Sequence, residues 1–234
     1  MPSFRSKVVK TSQKIWWILM GYPLRFFLRI KVQNQETTKD IKGPLVIVAN
    51  HSSWLDPFLI GLAMPWQSHL FPIYYAMWYI YYRIPLIFPF VFLLGAFPVK
   101  KKRPLGEILK YPLDVLKNGG VVVIFPQGQR QQLGRRKKPR RGAAYLAIST
   151  NSQILPVYIK NAAGINPFNF FFRRKKVAIK IGKPFALPAT LDPENLESLN
   201  EASELVALQI QNLSLGKENA PTPTASLSNQ QIHV

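Results

Sequence analysis

Two runs of apolar residues, each as long as a β-strand, constrain the fold of this chain most strongly. Residues 45–49 and 121–125 contain no polar side chain, so other parts of the protein must cover both faces of each strand. Two further strands are predicted at 154–159 and 177–181, and segments with helical character separate the four. This alternation predicts an α/β fold: a single domain with a mostly parallel or mixed central sheet flanked by helices.

The composition limits the kinds of partner and site. Lysine and arginine (31) outnumber aspartate and glutamate (11), and the net charge of +20 requires an anionic partner: nucleic acid, a membrane surface or a phosphorylated substrate. An apolar content of 47% argues against a disordered basic protein. The absence of cysteine excludes disulfides, thiolate metal sites and cysteine nucleophiles, and with three scattered histidines we expect no histidine-rich metal site.

Residues 1–31 are predicted to form amphipathic helices at a membrane interface. About ten apolar residues from Ile15 are flanked by cations, and a span across a bilayer needs about 20. Pro23 interrupts this stretch, so we expect one helix or an interfacial helix pair. A core helix with a basic cap is the alternative. Residues 40–215 would form the α/β domain, and the polar tail at 216–234 is expected to be disordered.

Residues 70–99 are the most apolar part of the chain, but prolines and Arg83 interrupt them. We therefore predict no transmembrane helix there. A buried core, a lipid-facing surface or a groove for an acyl chain would each explain this composition. The tyrosines favour an interface, because an aromatic ring with a polar tip suits the boundary between water and lipid.

His51 and Asp56 follow the strand at 45–49 and mark a reactive turn. An imidazole both accepts and returns a proton near neutral pH, and a nearby carboxylate fixes its tautomer and stabilises the imidazolium. Neither Ser52 nor Ser53 lies in a Gly-x-Ser-x-Gly nucleophile motif, so the base would activate a hydroxyl of the substrate. The alternative is a histidine that only closes a turn beside an N-capping aspartate.

A second group of candidate residues follows the strand at 121–125. Gly128 would let an anion approach the backbone, and Arg130 would offer a planar guanidinium that suits a phosphate. If the two strands are parallel, this loop lies at the same sheet edge as His51. Lys101 and Arg103 would extend the basic patch, although each is also compatible with a solvated or headgroup-facing surface.

Four motifs in fixed order resemble those of the 1-acyl-sn-glycerol-3-phosphate acyltransferase family. Residues 50–57 (NHSSWLDP) resemble its His-x4-Asp box, and residues 95–101 (GAFPVKK) its Gly-x-x-x-[Ile/Val]-x-Arg box. Residues 125–130 (FPQGQR) are similar to its Phe-Pro-Glu-Gly-Thr-Arg box, and residues 155–157 (LPV) to the Val-Pro-Val strand that follows. The resemblance covers roughly residues 40–185, and an N-terminal interfacial helix pair is common in bacterial members.

The resemblance implies acyl transfer at the cytoplasmic face of a membrane by a monotopic enzyme without a bound cofactor. His51 would deprotonate the free hydroxyl of a lysophospholipid, most directly 1-acyl-sn-glycerol-3-phosphate, and Asp56 would orient His51. The hydroxyl would attack the thioester of an acyl carrier protein or of coenzyme A, giving phosphatidic acid. The implied substrate-binding residues are Lys101, Arg103, Gln127, Gly128 and Arg130.

Three departures from the family pattern bear on the acceptor. Gln127 stands in place of a glutamate, Gln129 in place of a threonine and Lys101 in place of an arginine. Glutamine keeps an acceptor oxygen without the charge, and lysine keeps the charge without the bidentate fork. Another lysolipid, a glycolipid or an alcohol is therefore an alternative acceptor, and a non-catalytic membrane-binding protein is a further hypothesis. No nucleic acid is expected, because the basic loop at 135–141 lacks interleaved aromatics.

Overall fold

The apolar strands predicted from the sequence form the centre of a seven-stranded sheet in the computed structural model, which describes residues 4–99, 103–128 and 138–217. The strand order is β1-β7-β6-β2-β5-β3-β4. The strands are β1 (Lys31–Gln33), β2 (Leu45–Ala49), β3 (Ile73–Trp78), β4 (Ala96–Val99), β5 (Val121–Ile124), β6 (Gln153–Lys160) and β7 (Ala178–Ile181).

The sheet is mixed, and its middle is parallel. β2 pairs in parallel with β5 on one side and with β6 on the other, and β3 and β4 continue the parallel order beyond β5. β7 runs antiparallel to β6, and β1 is parallel to β7. The predicted α/β fold with a mostly parallel or mixed sheet is therefore confirmed.

Helices cover both faces of the sheet, which explains why every residue of β2 is fully buried. Leu45, Ile47 and Ala49 pack in a core with residues of α1 and α2. Val46 and Val48 pack in a second core with residues of α6 and α8. The α-helices are α1 (Phe4–Leu28), α2 (Asp56–Ala63), α3 (Phe88–Leu93), α4 (Leu105–Ile108), α5 (Lys110–Lys117), α6 (Gly142–Thr150), α7 (Pro167–Phe171) and α8 (Leu196–Ser214), and 3-10 helices span Gln35–Thr38 and Tyr79–Arg83.

The N-terminal segment is one continuous helix, so the interfacial helix pair does not form. Pro23 lies inside α1 without ending it. The helix packs against the domain on both sides of this proline, with Val9 and Gln13 buried in its first half and Leu24 and Leu28 near its end. This tertiary packing outweighs the hydrogen bond that proline removes.

The side chain of Gln13 attaches α1 to β3 and to the turn before β4. Its Nε2 donates to the carbonyl oxygens of Ile73 (2.5 Å) and Leu94 (2.9 Å), and its Oε1 accepts from the Ile73 N–H at 2.9 Å. These hydrogen bonds fix the position of the helix, because a shift of α1 would leave buried polar groups unpaired. α1 therefore has a defined position relative to β3 and to the turn before β4.

Candidate active site

The chain leaves β2 through Asn50, which fixes the start of the reactive turn. Asn50 is buried; its Nδ2 donates to the Ile159 carbonyl oxygen at 2.8 Å and its Oδ1 accepts from the Ile159 N–H at 2.7 Å. Ile159 lies in β6, the parallel neighbour of β2. The side chain thus extends the ladder between the two strands and sets the direction in which His51 follows.

Asp56 is the centre of this turn. Its Oδ2 accepts from His51 Nδ1 (2.8 Å), from the Ser52 N–H (2.6 Å) and from the Ser53 N–H (2.8 Å), and the side chain has no exposed surface. Asp56 is the first residue of α2 and Leu55 is the N-cap, so the alternative in which Asp56 caps the helix is wrong. The carboxylate binds the turn before the helix instead of the N–H groups of the helix itself.

His51 is oriented by two contacts. Its Nδ1 meets Asp56, and its ring stacks on Phe125 with the ring centroids 4.2 Å apart and the planes at 20°. A carboxylate only accepts hydrogen bonds, so Nδ1 carries the hydrogen and Nε2 of the neutral ring carries the lone pair. With 21% of the side chain exposed, the imidazole remains open to a substrate.

Gln127 joins the loop after β5 to the same turn. Its Oε1 accepts a hydrogen bond from the His51 N–H at 3.0 Å. This contact places the loop after β5 beside the turn after β2, as the parallel pairing of the two strands predicts. Because Oε1 faces His51, the other end of the Gln127 amide is its NH2 group. This group donates hydrogen bonds, whereas the second oxygen of a glutamate carboxylate would only accept them.

Gly128 follows in a left-handed conformation (φ 63°) that favours glycine. A Cβ added to Gly128 would collide with the Arg140 side chain, so this side chain lies against the glycine backbone. The Arg140 N–H also donates to the Pro126 carbonyl oxygen at 2.7 Å. Arg140 thus adds a cation to this loop that sequence reasoning missed, because nothing in the basic run 135–141 distinguishes one arginine from the next.

The other predicted site residues have separate positions. Lys101 and Arg130 lie outside the described residues. Arg103 stands just before α4, where its Nη1 is 3.4 Å from Glu107 Oε2 and both side chains are more than half exposed. Such an exposed pair contributes little, and it matches the solvated-cation alternative for Arg103. In the part of the chain that the structure describes, no three His, Cys, Asp or Glu residues could share a metal ion.

The aromatic region at 70–99 combines core and surface. Ile73 and Phe97, in β3 and β4, are buried, whereas Leu86 and Phe88 are exposed. The exposed Trp54 of the reactive turn has its ring 5.4 Å from that of Tyr81, between centroids. The region therefore contributes both to the domain core and to an apolar surface beside His51. None of the helices among the described residues is long and apolar enough to cross a membrane.

Comparison with known proteins assigns this chain to a protein family. Residues 29–160 match the family model described as Acyltransferase. The chain belongs to this acyltransferase family, which confirms the resemblance on which the sequence interpretation rests.

Individual relatives carry a more specific name. A 1-acyl-sn-glycerol-3-phosphate acyltransferase of Bacillus subtilis is 30% identical over 66% of this chain and 73% of its own length. A chloroplastic 1-acyl-sn-glycerol-3-phosphate acyltransferase of Brassica napus is 28% identical over 70% of this chain, which spans 46% of that protein. The crystal structure of the 1-acyl-sn-glycerophosphate acyltransferase PlsC of Thermotoga maritima shares the fold, with a TM-score of 0.60 and 22% identity over 90% of this chain and 81% of that one.

The two hydrogen bonds between the Asn50 side chain and the Ile159 backbone should stabilise the reactive turn. We expect Asn50→Ala to lower the free energy of unfolding by about 2–4 kcal/mol, because both backbone groups of Ile159 lose a buried partner. Urea unfolding measures this change. The control is Asn118→Ala, whose exposed side chain donates to Asp114 and should cost less than about 1 kcal/mol. Equal unfolding midpoints for the two variants would contradict this role of Asn50.

Proposed function

We propose that this protein transfers a fatty acyl group from an acyl thioester to the free hydroxyl of 1-acyl-sn-glycerol-3-phosphate, forming phosphatidic acid, with His51 as the general base. The contact between His51 Nδ1 and the buried Oδ2 of Asp56, at 2.8 Å, carries this proposal. Membership of the acyltransferase family and the names of the relatives support the reaction and the acceptor.

The mechanism follows from the free nitrogen of His51. The acceptor hydroxyl donates to Nε2, and its proton moves to Nε2 as its oxygen attacks the thioester carbonyl carbon. The imidazolium that forms is stabilised by the carboxylate of Asp56. The tetrahedral intermediate then expels the thiolate, which takes the proton back from Nε2. The products are an ester and a free thiol, and the enzyme forms no covalent bond.

The phosphate of the acceptor would be held by the loop after β5 and the cations near it. Arg140 lies against Gly128, next to Gln127, which in turn contacts His51. Lys101 and Arg130 would add charge, as the family motifs imply. A guanidinium beside a left-handed glycine offers both charge and close backbone approach, which suits a phosphate group.

The thioester would come from an acyl carrier protein or from coenzyme A. Both donors carry anionic groups, and the net charge of +20 favours their approach. The acyl chains would lie along the aromatic surface beside the reactive turn, where Trp54 meets Tyr81.

Membrane association is part of the proposal, as a monotopic protein at the cytoplasmic face. One face of α1 packs against the domain, and the opposite face exposes large apolar side chains at Ile15, Ile18, Leu19, Tyr22 and Phe26. Such a helix suits the bilayer interface, because one side can enter the lipid while the cations around it meet the headgroups.

A second candidate function keeps the chemistry and changes the acceptor. The contact from the His51 N–H to Gln127 Oε1 favours it, because the amide lacks the charge that a glutamate would bring to this position. The acceptor would then be another lysolipid, a glycolipid or a lipophilic alcohol. A non-catalytic membrane-binding protein is a weaker hypothesis, since the His51–Asp56 pair has the geometry that a base requires.

His51 is tested by thiol release from an acyl thioester in the presence of 1-acyl-sn-glycerol-3-phosphate. We expect His51→Ala to reduce kcat roughly 10²–10⁴-fold, the range typical for loss of a general base. His69→Ala, at an exposed histidine, is the matched control and should keep full activity. Normal turnover by the His51→Ala protein would overturn the assignment of the base.

The acceptor is tested by offering a mixed pool of lysophospholipids, glycolipids and alcohols with one labelled donor. Mass spectrometry of the products should show phosphatidic acid as the main acylated lipid. Gln127→Glu should keep that preference, because a carboxylate still accepts from the His51 N–H. A main product without a phosphomonoester would replace the leading function with the second.

Gly128 is tested against a second left-handed glycine. Gly128→Ala and Gly119→Ala should each destabilise the fold by about 1–2 kcal/mol, because both positions have positive φ. Only Gly128→Ala displaces Arg140, since a Cβ on Gly119 meets no described atom within 4 Å. We therefore expect the KM for the lysophospholipid to rise about tenfold in Gly128→Ala and in Arg140→Ala. An unchanged KM in both would remove Arg140 from the phosphate site.

A further inference from the structure

Helix α7 and its C-cap residue Phe172 expose an unusual number of aromatic side chains. Phe168, Phe171 and Phe172 are 55%, 63% and 67% exposed. Phe170 points the other way and packs against Phe27 of α1 with the ring centroids 4.9 Å apart, so the helix itself is anchored. Three exposed phenylalanines within five residues form an apolar patch of the kind that marks an interaction surface.

The position of α7 relates this patch to the reactive turn. α7 follows β6 and His51 follows β2, and these parallel neighbours end at the same sheet edge. The aromatic segment at 79–93 follows β3, which ends at that edge on the other side of β5. The reactive turn therefore lies between two exposed aromatic segments along one edge of the sheet.

The charges around α7 indicate an anionic partner. Four cations, Arg173 to Lys176, follow the helix, and no aspartate or glutamate occurs between residues 115 and 191. The guanidinium of Arg174 lies over the Phe168 ring, 4.7 Å from its centroid, and that of Arg173 lies over the Phe26 ring at 4.2 Å. Five of the eleven acidic residues of the chain lie in and just before α8, which packs on the opposite face of the sheet: Asp192, Glu194, Glu197, Glu201 and Glu204.

We propose that the α7 patch, defined as Phe168, Phe171, Phe172, Arg173 and Arg174, is a second bilayer-inserting element that binds anionic phospholipids. The phenylalanines enter the acyl region and the two arginines bind lipid phosphates. The patch continues the exposed face of α1, because Arg173 also donates to the Phe26 carbonyl oxygen. Together, α1 and the α7 patch hold this sheet edge against the bilayer, where a lipid acceptor of the proposed reaction resides.

A single-cysteine experiment tests insertion, because the chain contains no cysteine. Phe172→Cys is labelled with an environment-sensitive nitrobenzoxadiazole probe and mixed with vesicles of phosphatidylcholine and phosphatidylglycerol. We expect a blue-shifted emission that spin-labelled acyl chains quench. Leu208→Cys, at an exposed leucine of α8, is the matched control and should keep its emission. A probe at position 172 that stays in water while the protein sediments with vesicles would overturn the proposal.

Substitution tests the contribution of the patch to affinity. We expect Phe168→Ser with Phe172→Ser to lower the vesicle partition coefficient at least about tenfold, and Leu208→Ser to change it less than about twofold. Phosphatidylglycerol should raise the vesicle partition coefficient of the native protein. In the variant with Arg173→Gln and Arg174→Gln, we expect this increase to be about tenfold smaller. If the phenylalanine variant instead changes only the oligomeric state in sedimentation without lipid, a second copy of the chain covers the patch and the proposal fails.

These measurements use no acyl donor, so they are independent of the proposed reaction. A protein that inserts the probe at position 172 into lipid but transfers no acyl group would refute the reaction alone. A protein that makes phosphatidic acid while that probe stays in water would refute the insertion alone.

Discussion

The buried carboxylate of Asp56 is the interaction on which the rest of the site depends. A charge without exposed surface is costly unless hydrogen bonds stabilise it, and Oδ2 of Asp56 accepts three, whereas Oδ1 is buried without a hydrogen-bond partner among the described residues. The positive end of α2 adds a favourable field at its first residue. The hydrogen bonds that stabilise the buried carboxylate of Asp56 also shape the turn and orient His51. The turn therefore cannot fold without placing the imidazole in the orientation that a general base needs.

The sheet explains why this turn meets the other site residues. β2 is central, and its parallel neighbours β5 and β6 end at the same edge. Asn50 connects the turn to β6, and Gln127 connects it to the loop after β5. The residues come from distant parts of the chain, but each follows a strand whose register is determined by burial on both faces. A rigid centre therefore positions an edge at which substrate, cations and exposed aromatics can meet.

The sequence predicts the centre of the molecule better than its periphery. The strands at 45–49 and 121–125 are evident because burial on both faces demands continuous apolar residues. The sequence does not predict β3, because some aromatic residues around it are buried in the core and others are exposed. The hydrophobic pattern there therefore shows neither the period of a strand nor that of a helix. β1 was missed because it is short and polar. The single helix across Pro23 depends on packing against the domain, which no local pattern reveals.

The site shows the same division between local and distant contacts. The spacing of His51 and Asp56 is local, so their contact could be expected from the sequence. The contacts of Gln127 with His51, and of Arg140 with Gly128, join segments far apart in sequence, and nothing in the residues themselves marks the partner. The motif resemblance supplied Gln127 as a candidate, and only the structure supplied the atom that it contacts.

The most direct test of this account is a double-mutant cycle on acyl transfer with His51→Ala and Asp56→Asn, with the folded fraction of each variant measured by circular dichroism. If Asp56 acts through His51, the double variant should lose no more of kcat than His51→Ala alone, because the carboxylate has no base left to orient. Losses in kcat that multiply across the two single variants would mean that Asp56 and His51 act independently, and they would contradict the central claim.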